Sequence, residues 1–429
     1  MAVTHLDLFS ETAMKAKAFL AIGPLVAAFG SSSSHAQDRQ VRVDTLANGR
    51  VVVSNPDLAA SGQGDALELV EELRIGSVFG ANPDAPELFG QVISVALDED
   101  GNTYVADFQS REIRMFNHNG DFLRTIGRRG EGPGEFRMLA GILWDRGSRV
   151  LWAVDVGGRR FNAFDRSGTV LGTLPYGRDT YNAQLPWTGY ADLHGFIYYS
   201  EPRNFDMLLK GRTSPDGDLR IVDSLAVPSR GMETYSVGLE IRMVPMQPEN
   251  YHAVGPDGGV WVSTSSEFQL HKVGFDGDTV RTVELRRPNR SLSRSERDSI
   301  AEVNDLPVRR IPQWRPVIGQ HLVGPDGWLW VPVEGDSTWE LFDDFGFHRG
   351  RVKSPVPFES SSHIVLGEHT ITGVTTDEMG VQYVVRLRIP EAVVQPQTRF
   401  HGRPHLLEHA ASPRPHSFRP SSGCTVCGR

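Results

Sequence analysis

Three histidines and an asparagine fall at the starts of short apolar runs: Asn250 and His252 in NYHAVGPD, His321 in QHLVGPD, and His363 in HIVLGEH. A neutral imidazole binds metals and moves protons near neutral pH, so such residues at strand starts are candidates for ligand or metal contact. His252 and His321 also precede GPD turns at similar places, which fits repeat architecture equally well. The sequence has no G-x-S-x-G, no H-E-x-x-H, and no cysteine before Cys424. Serine-hydrolase, zincin and thiol chemistry therefore have no motif here. No catalytic residue is assigned, and no metal set is complete.

Arginines form the second set. The segment 286–316 holds eight Arg against four acids, with Arg309, Arg310 and Arg315 close together. A planar guanidinium fork suits carboxylate and phosphate. The segment is expected to lie over one face of the fold and meet an anionic group or acidic partner. Its other reading is a solvated helix with internal Arg–acid pairs. Ser293 and Glu296 form a capping box that starts a helix running through Val303. Arg128 sits in a glycine-rich stretch, Gly127 to Gly134, and joins the candidate ligand-binding residues. That stretch lacks a G-K-[ST] ending, so a P-loop role fails. Tight chain crossing is the better reason for its glycines.

Both ends differ from the middle. Lys15 and Lys17 precede the apolar run 18–30, and Ser34 and Ala36 are small residues placed as at a cleavage site. Residues 1–36 thus read as a secretory leader, with Met14 as an alternative start. The run is too short to span a bilayer, and no membrane span is expected in the mature chain. Residues 391–429 hold four of the 14 histidines and both cysteines, Cys424 and Cys427, and read as a disordered or misread tail. With net charge −9 over 429 residues, attraction to nucleic acid is not expected.

Residues 37–390 carry a repeat. Tyr104, Trp152, Tyr198, Trp261, Trp330 and Tyr383 each stand at the same place within a short β-type run. In five of the six a Gly stands three residues earlier, and Gly120, Gly168, Gly277 and Gly346 each follow their aromatic by 16 residues. DG and NG are strong hairpin signals. Each unit reads as strand, turn, aromatic strand, loop, strand, turn, strand. Four-stranded meanders at 40–50-residue spacing are the mark of a β-propeller. The fold class is all-β, a six-bladed β-propeller over 37–390. The last unit lacks strands, which 43–55 and 67–76 are expected to supply, so that both ends share one blade and close the ring. Asp107 and Asp155, which end two aromatic strands, are expected to accept backbone N–H bonds.

The stretch FLRTIGRRGEGPGEF at 122–136, after YVADFQSREIRMFNHNG, resembles an NHL-type repeat. It is similar to the bacterial exported 6-bladed β-propeller proteins, in which such a Gly-rich linker leads from one blade to the next. That resemblance implies the fold and export to the periplasm or exterior. Propellers host binding modules, lyases and lactonases alike. Propeller enzymes of the gluconolactonase type place Glu, Asn and Asp around one central ion, and no such set is evident here.

Two functions follow. The first is an exported binding or scaffold protein that recognises an unknown small molecule or protein at one ring face, without cofactor; its candidate contacts are Arg128, Arg309, Arg310, Arg315, Asn250, His252 and His363. The second is a metal-dependent hydrolase, lactonase or lyase with a central divalent cation such as Ca2+.

Overall fold

The computed structural model describes residues 40–57, 65–78, 85–175, 187–201, 204–213, 219–228, 233–287, 289–333, 337–359 and 362–394. The leader at 1–36, the tail from 395 and the Cys424/Cys427 pair lie outside the described residues.

Six blades follow one another along the chain. Blade 1 is Val92–Leu97, Thr103–Asp107, Glu112–Phe116 and Phe122–Ile126. Blade 2 is Leu139–Asp145, Val150–Asp155, Arg160–Phe164 and Val170–Pro175. Blade 3 is Gly189–Ala191, Ile197–Glu201, Asn204–Thr213 and Leu219–Ala226. Blade 4 opens with Asn250–Val254, Val260–Thr264, Gln269–Val273 and Thr279–Arg286, and blade 5 with Leu322–Val323, Leu329–Pro332, Thr338–Phe342 and His348–Lys353. Blade 6 is Val365–Gly367, Thr370–Thr376, Gln382–Arg388 and the early strand Val70–Ile75, which pairs antiparallel with Gln382–Arg388.

Turn chemistry explains the repeat. In blade 1, Gly101 N–H donates to the Asp98 carbonyl, and the Asp98 carboxylate accepts from the Asp100 and Asn102 amides. Only Gly101 in that turn has positive φ, at 78°. The connection is therefore a type I turn with a left-handed glycine, not the two-residue type that DG alone would favour. Buried aromatics join the blades. Tyr104 is 0% exposed and stacks on Trp144 of blade 2, centroids 5.5 Å apart. The linker glycines permit close crossing: a Cβ on Gly134 would stand 2.4 Å from Val170 Cγ2, and its φ is +73°.

Two expectations need correction. Residues 43–55 do not complete blade 6. Val51–Pro56 pairs parallel with Thr279–Arg286 on the outer edge of blade 4, and Arg42–Thr45 pairs on it in turn. Buried Asn55 fixes this seat: its Nδ2 donates to the Gly346 carbonyl (2.9 Å) and its Oδ1 accepts from His348 N (2.9 Å). Leu67–Glu68 then edges blade 5. The N-terminal segment thus covers the outer edges of three blades, where bare strand edges would invite pairing with other chains.

Blade 6 lacks only one strand, because Val365–Gly367 and a tight turn with His369 at φ 55° form its first hairpin. Tyr383 therefore lies on the third strand, whereas Tyr104, Trp152, Tyr198, Trp261 and Trp330 lie on second strands. The local signal misleads because the same contact recurs at a different connection. Tyr383 OH donates to Asp377 (3.1 Å), as Tyr104 does to Asp98 (3.2 Å) and Tyr198 to Asp192 (2.7 Å).

Candidate functional site

Each blade contributes its first strand to the wall of a central channel. The linkers that feed these strands, and the turns between second and third strands, gather at one face. There the channel opens into a chamber of about 610 Å³. Its wall comes from first strands (Tyr190, Asn250, His252), linkers (Trp187, Gln320, Phe358, Glu359, His363) and the starts of third strands (Asp206, Thr338, Trp339). A volume in this range accommodates a small organic ligand. Beneath lies a second chamber of about 150 Å³, walled largely by Val95, Leu97, Ile142, Val254, Val323 and Leu366. The two share Tyr190, Leu322, His363 and Ile364, which form a waist between them.

The polar groups at the mouth are held in place by the backbone. Tyr190 OH and Gln320 Nε2 both donate to the His252 carbonyl, at 3.0 and 2.8 Å. Ser362 Oγ donates to the Val92 carbonyl at 2.8 Å, tying the blade 6 linker to blade 1. The buried Nδ1 of His363 has no hydrogen-bond partner, and burial pushes this imidazole down to about 4. The ring is neutral at pH 7.

Asn250, His252 and His363 thus come together at the chamber. Arg128 does not: it lies in the linker between blades 1 and 2 and pairs with Glu135 at 2.8 Å. Nor do Arg309, Arg310 and Arg315 line either chamber. They belong to a small module with its own core of Tyr235, Val244, Leu292, Ala301, Leu306 and Ile311. Its helix Arg294–Val303 carries the expected Ser293–Glu296 capping box. Arg315 pairs with Glu296, and Arg310 stands 4.0 Å from Glu233 and over the Tyr235 ring. His321 is a core residue. Its Nε2 donates to the Trp261 carbonyl (3.2 Å) and its Nδ1 accepts from Ser263 Oγ (3.0 Å). The carbonyl can only accept, which sets the Nε2–H tautomer.

Trp187, Glu359, Trp339 and Phe358 escaped the sequence reading. They come from linkers and from second-to-third-strand positions, which the repeat does not index. Among the described residues, no three His, Cys, Asp or Glu side chains are grouped to hold a metal ion. Among them, too, no helix is long and apolar enough to cross a membrane.

Residues 87–200 match a family model described as a 6-bladed beta-propeller. No protein with a curated description matches the chain. Among solved structures, virginiamycin B lyase from Staphylococcus aureus is similar at 10% identity, with 71% of this chain and 97% of that one covered and a TM-score of 0.38. A Bacteroides fragilis protein described as a candidate exported protein is similar at 13% identity, covering 76% and 95%, with a TM-score of 0.40. Kluyveromyces lactis Hsv2 is similar at 11% identity, covering 70% and 99%, with a TM-score of 0.38.

Proposed function

We propose that this six-bladed propeller is an exported binding protein that takes up a small organic ligand at the mouth of its central channel, without turnover. One observation carries the reading: an open chamber of about 610 Å³ with fixed polar groups above a narrower apolar bore. Two of these groups are fixed in place: the Tyr190 hydroxyl and the Gln320 amide both donate to the His252 carbonyl. Export rests on the leader at 1–36.

The test is a fluorine-detected NMR screen of a fragment library against the wild type and Gln320→Trp, a variant that places a large ring in the mouth. The proposal expects a subset of fragments to bind the wild type and to lose most of their affinity for the variant. Fragments that bind both proteins equally well would overturn it.

A further inference from the structure

The face that carries the mouth has a second hollow, a cleft of about 420 Å³ where blade 1 meets blade 2. Arg111 enters its wall from the turn between the second and third strands of blade 1. Arg129, Glu131 and Arg137 enter it from the linker into blade 2. Gly130 and Gly157 add no side chain of their own to the wall. The cleft and the mouth chamber share no described wall residue.

The charges in the cleft do not cancel. Glu131 lies 3.6 Å from Arg137. Of the acids close by in sequence, Glu112 is taken by Arg114 at 2.8 Å. Glu135 is taken by Arg128 at 2.8 Å and by the Gly132 amide. Arg111 and Arg129 pair with no acid among the described residues. One cleft is thus left with two guanidinium forks, on a chain of net charge −9. A planar fork holds the oxygens of a carboxylate or a phosphate two at a time.

Backbone geometry points to Arg111 independently. Its φ is 60°, in the left-handed region, where a Cβ is strained and glycine is not. The turn asks only for its backbone: the Arg111 N–H donates to the Asp107 carbonyl at 2.9 Å. A glycine would make the same bond without the strain. Arg149 and Arg159 take the same conformation, and both are engaged, Arg149 with Glu99 at 3.2 Å. Such strain persists where the side chain has a use. For Arg111 the described residues supply none.

We infer that this cleft is a second binding site, which holds an oxyanion, the carboxylate or phosphate group of a small molecule, between Arg111 and Arg129. The inference does not depend on the mouth. The fragment screen for the mouth uses neutral compounds, so the two sites are tested apart.

The test follows the melting temperature of the full chain while sodium phosphate or sodium acetate replaces sodium chloride at constant ionic strength and neutral pH. A saturable rise is expected with at least one of the two. A rise with phosphate alone would select a phosphate ligand, and a rise with acetate alone a carboxylate. Arg111→Gly and Arg129→Gln are each expected to raise the midpoint of that titration roughly tenfold or more. Arg309→Gln, an exposed arginine outside the cleft, is expected to leave it unchanged. Without added oxyanion, Arg111→Gly should melt at or above the wild-type temperature, because it relieves the backbone. No saturable rise with either anion would overturn the inference, as would equal midpoints in Arg111→Gly and the wild type. A melting temperature lowered in Arg111→Gly would show that the side chain serves the fold, and would overturn it as well.

Discussion

Asp107 and Asp155 occupy the same place in successive blades, and each locks the incoming linker of its own blade. The Asp107 carboxylate accepts from the amides of Gly90 (2.9 Å) and Gln91 (3.1 Å). The Asp155 carboxylate accepts from Arg137 (3.0 Å) and Met138 (2.8 Å). Each also faces an arginine of the next strand, Arg114 at 3.6 Å and Arg160 at 3.1 Å. One carboxylate thus fixes where each channel strand begins. The geometry of the mouth depends on that placement, although neither aspartate lines it.

Replacing Asp155 with Asn is expected to lower stability by about 3 kcal/mol. The amide oxygen can still accept from the Arg137 and Met138 amides, but the NH2 takes the place of the Oδ2 that accepts from Arg160 Nε, and Asn cannot neutralise that arginine in a site where Asp155 is 0% exposed. Urea unfolding of the wild type and D155N measures the difference. A change below about 1 kcal/mol would show that the pair with Arg160 contributes little.

A second carboxylate clamps the outer wall. Glu340 is 0% exposed and lies 2.5 Å from Arg287 Nη2, 2.9 Å from Arg351 Nε and 2.7 Å from His348 Nε2. Arg287 also pairs with Asp57, just after the N-terminal strand on blade 4. Burial alone would raise the Glu340 carboxyl, but His348 and Arg287 hold it below the usual value. Because the folded value is depressed, this stabilisation is full above the ordinary carboxylate range and is lost as pH falls through the folded value. Glu340→Gln should cost about 3 kcal/mol at pH 7, since it strands buried cations. The gap to wild type should narrow in strong acid. A gap that is constant with pH would contradict the assignment.

His321 gives a second handle on pH, in the same direction. Burial pushes it down to about 4 from an ordinary 6.5. The unfolded chain therefore binds a proton that the folded chain refuses between those values. Stability is full above the unfolded value and falls as pH drops toward 4, by ~3 kcal/mol for this one ring. His321→Gln keeps a donor for the Trp261 carbonyl and an acceptor for Ser263, and should flatten that part of the slope. Denaturant melts at pH 7, 5.5 and 4.5 give the comparison. Equal slopes in both proteins would count against a neutral buried imidazole.

How much of this was legible depended on whether the physics was local. A turn built by Asp98 and Gly101 lies within a few residues, so hairpins and blade count could be read from spacing. The seat of Val51–Pro56 could not, because parallel pairing with Thr279–Arg286 joins residues more than 200 positions apart and VVVSNP fits any open edge. Tyr383 was assigned to the wrong strand for a related reason: its bond to Asp377 is the same local contact in a different hairpin. At the site, Asn250, His252 and His363 were visible as polar residues at strand starts. Glu359 and Phe358 were not, since only the closed ring brings the blade 6 linker beside Gln320 and Trp187.

The most direct test of the mouth as the binding site uses the lack of cysteine in residues 37–390. With Cys424 and Cys427 changed to Ser, a single cysteine at Ser337 or at Arg128 can carry an environment-sensitive dye. Ser337 is exposed at the rim of the chamber, and Arg128 lies in the linker between blades 1 and 2. Fragments that bind the wild type should shift the emission of the Ser337→Cys label and leave the Arg128→Cys label unchanged. A shift at Arg128 alone, or equal shifts at both, would place the binding site elsewhere on the ring.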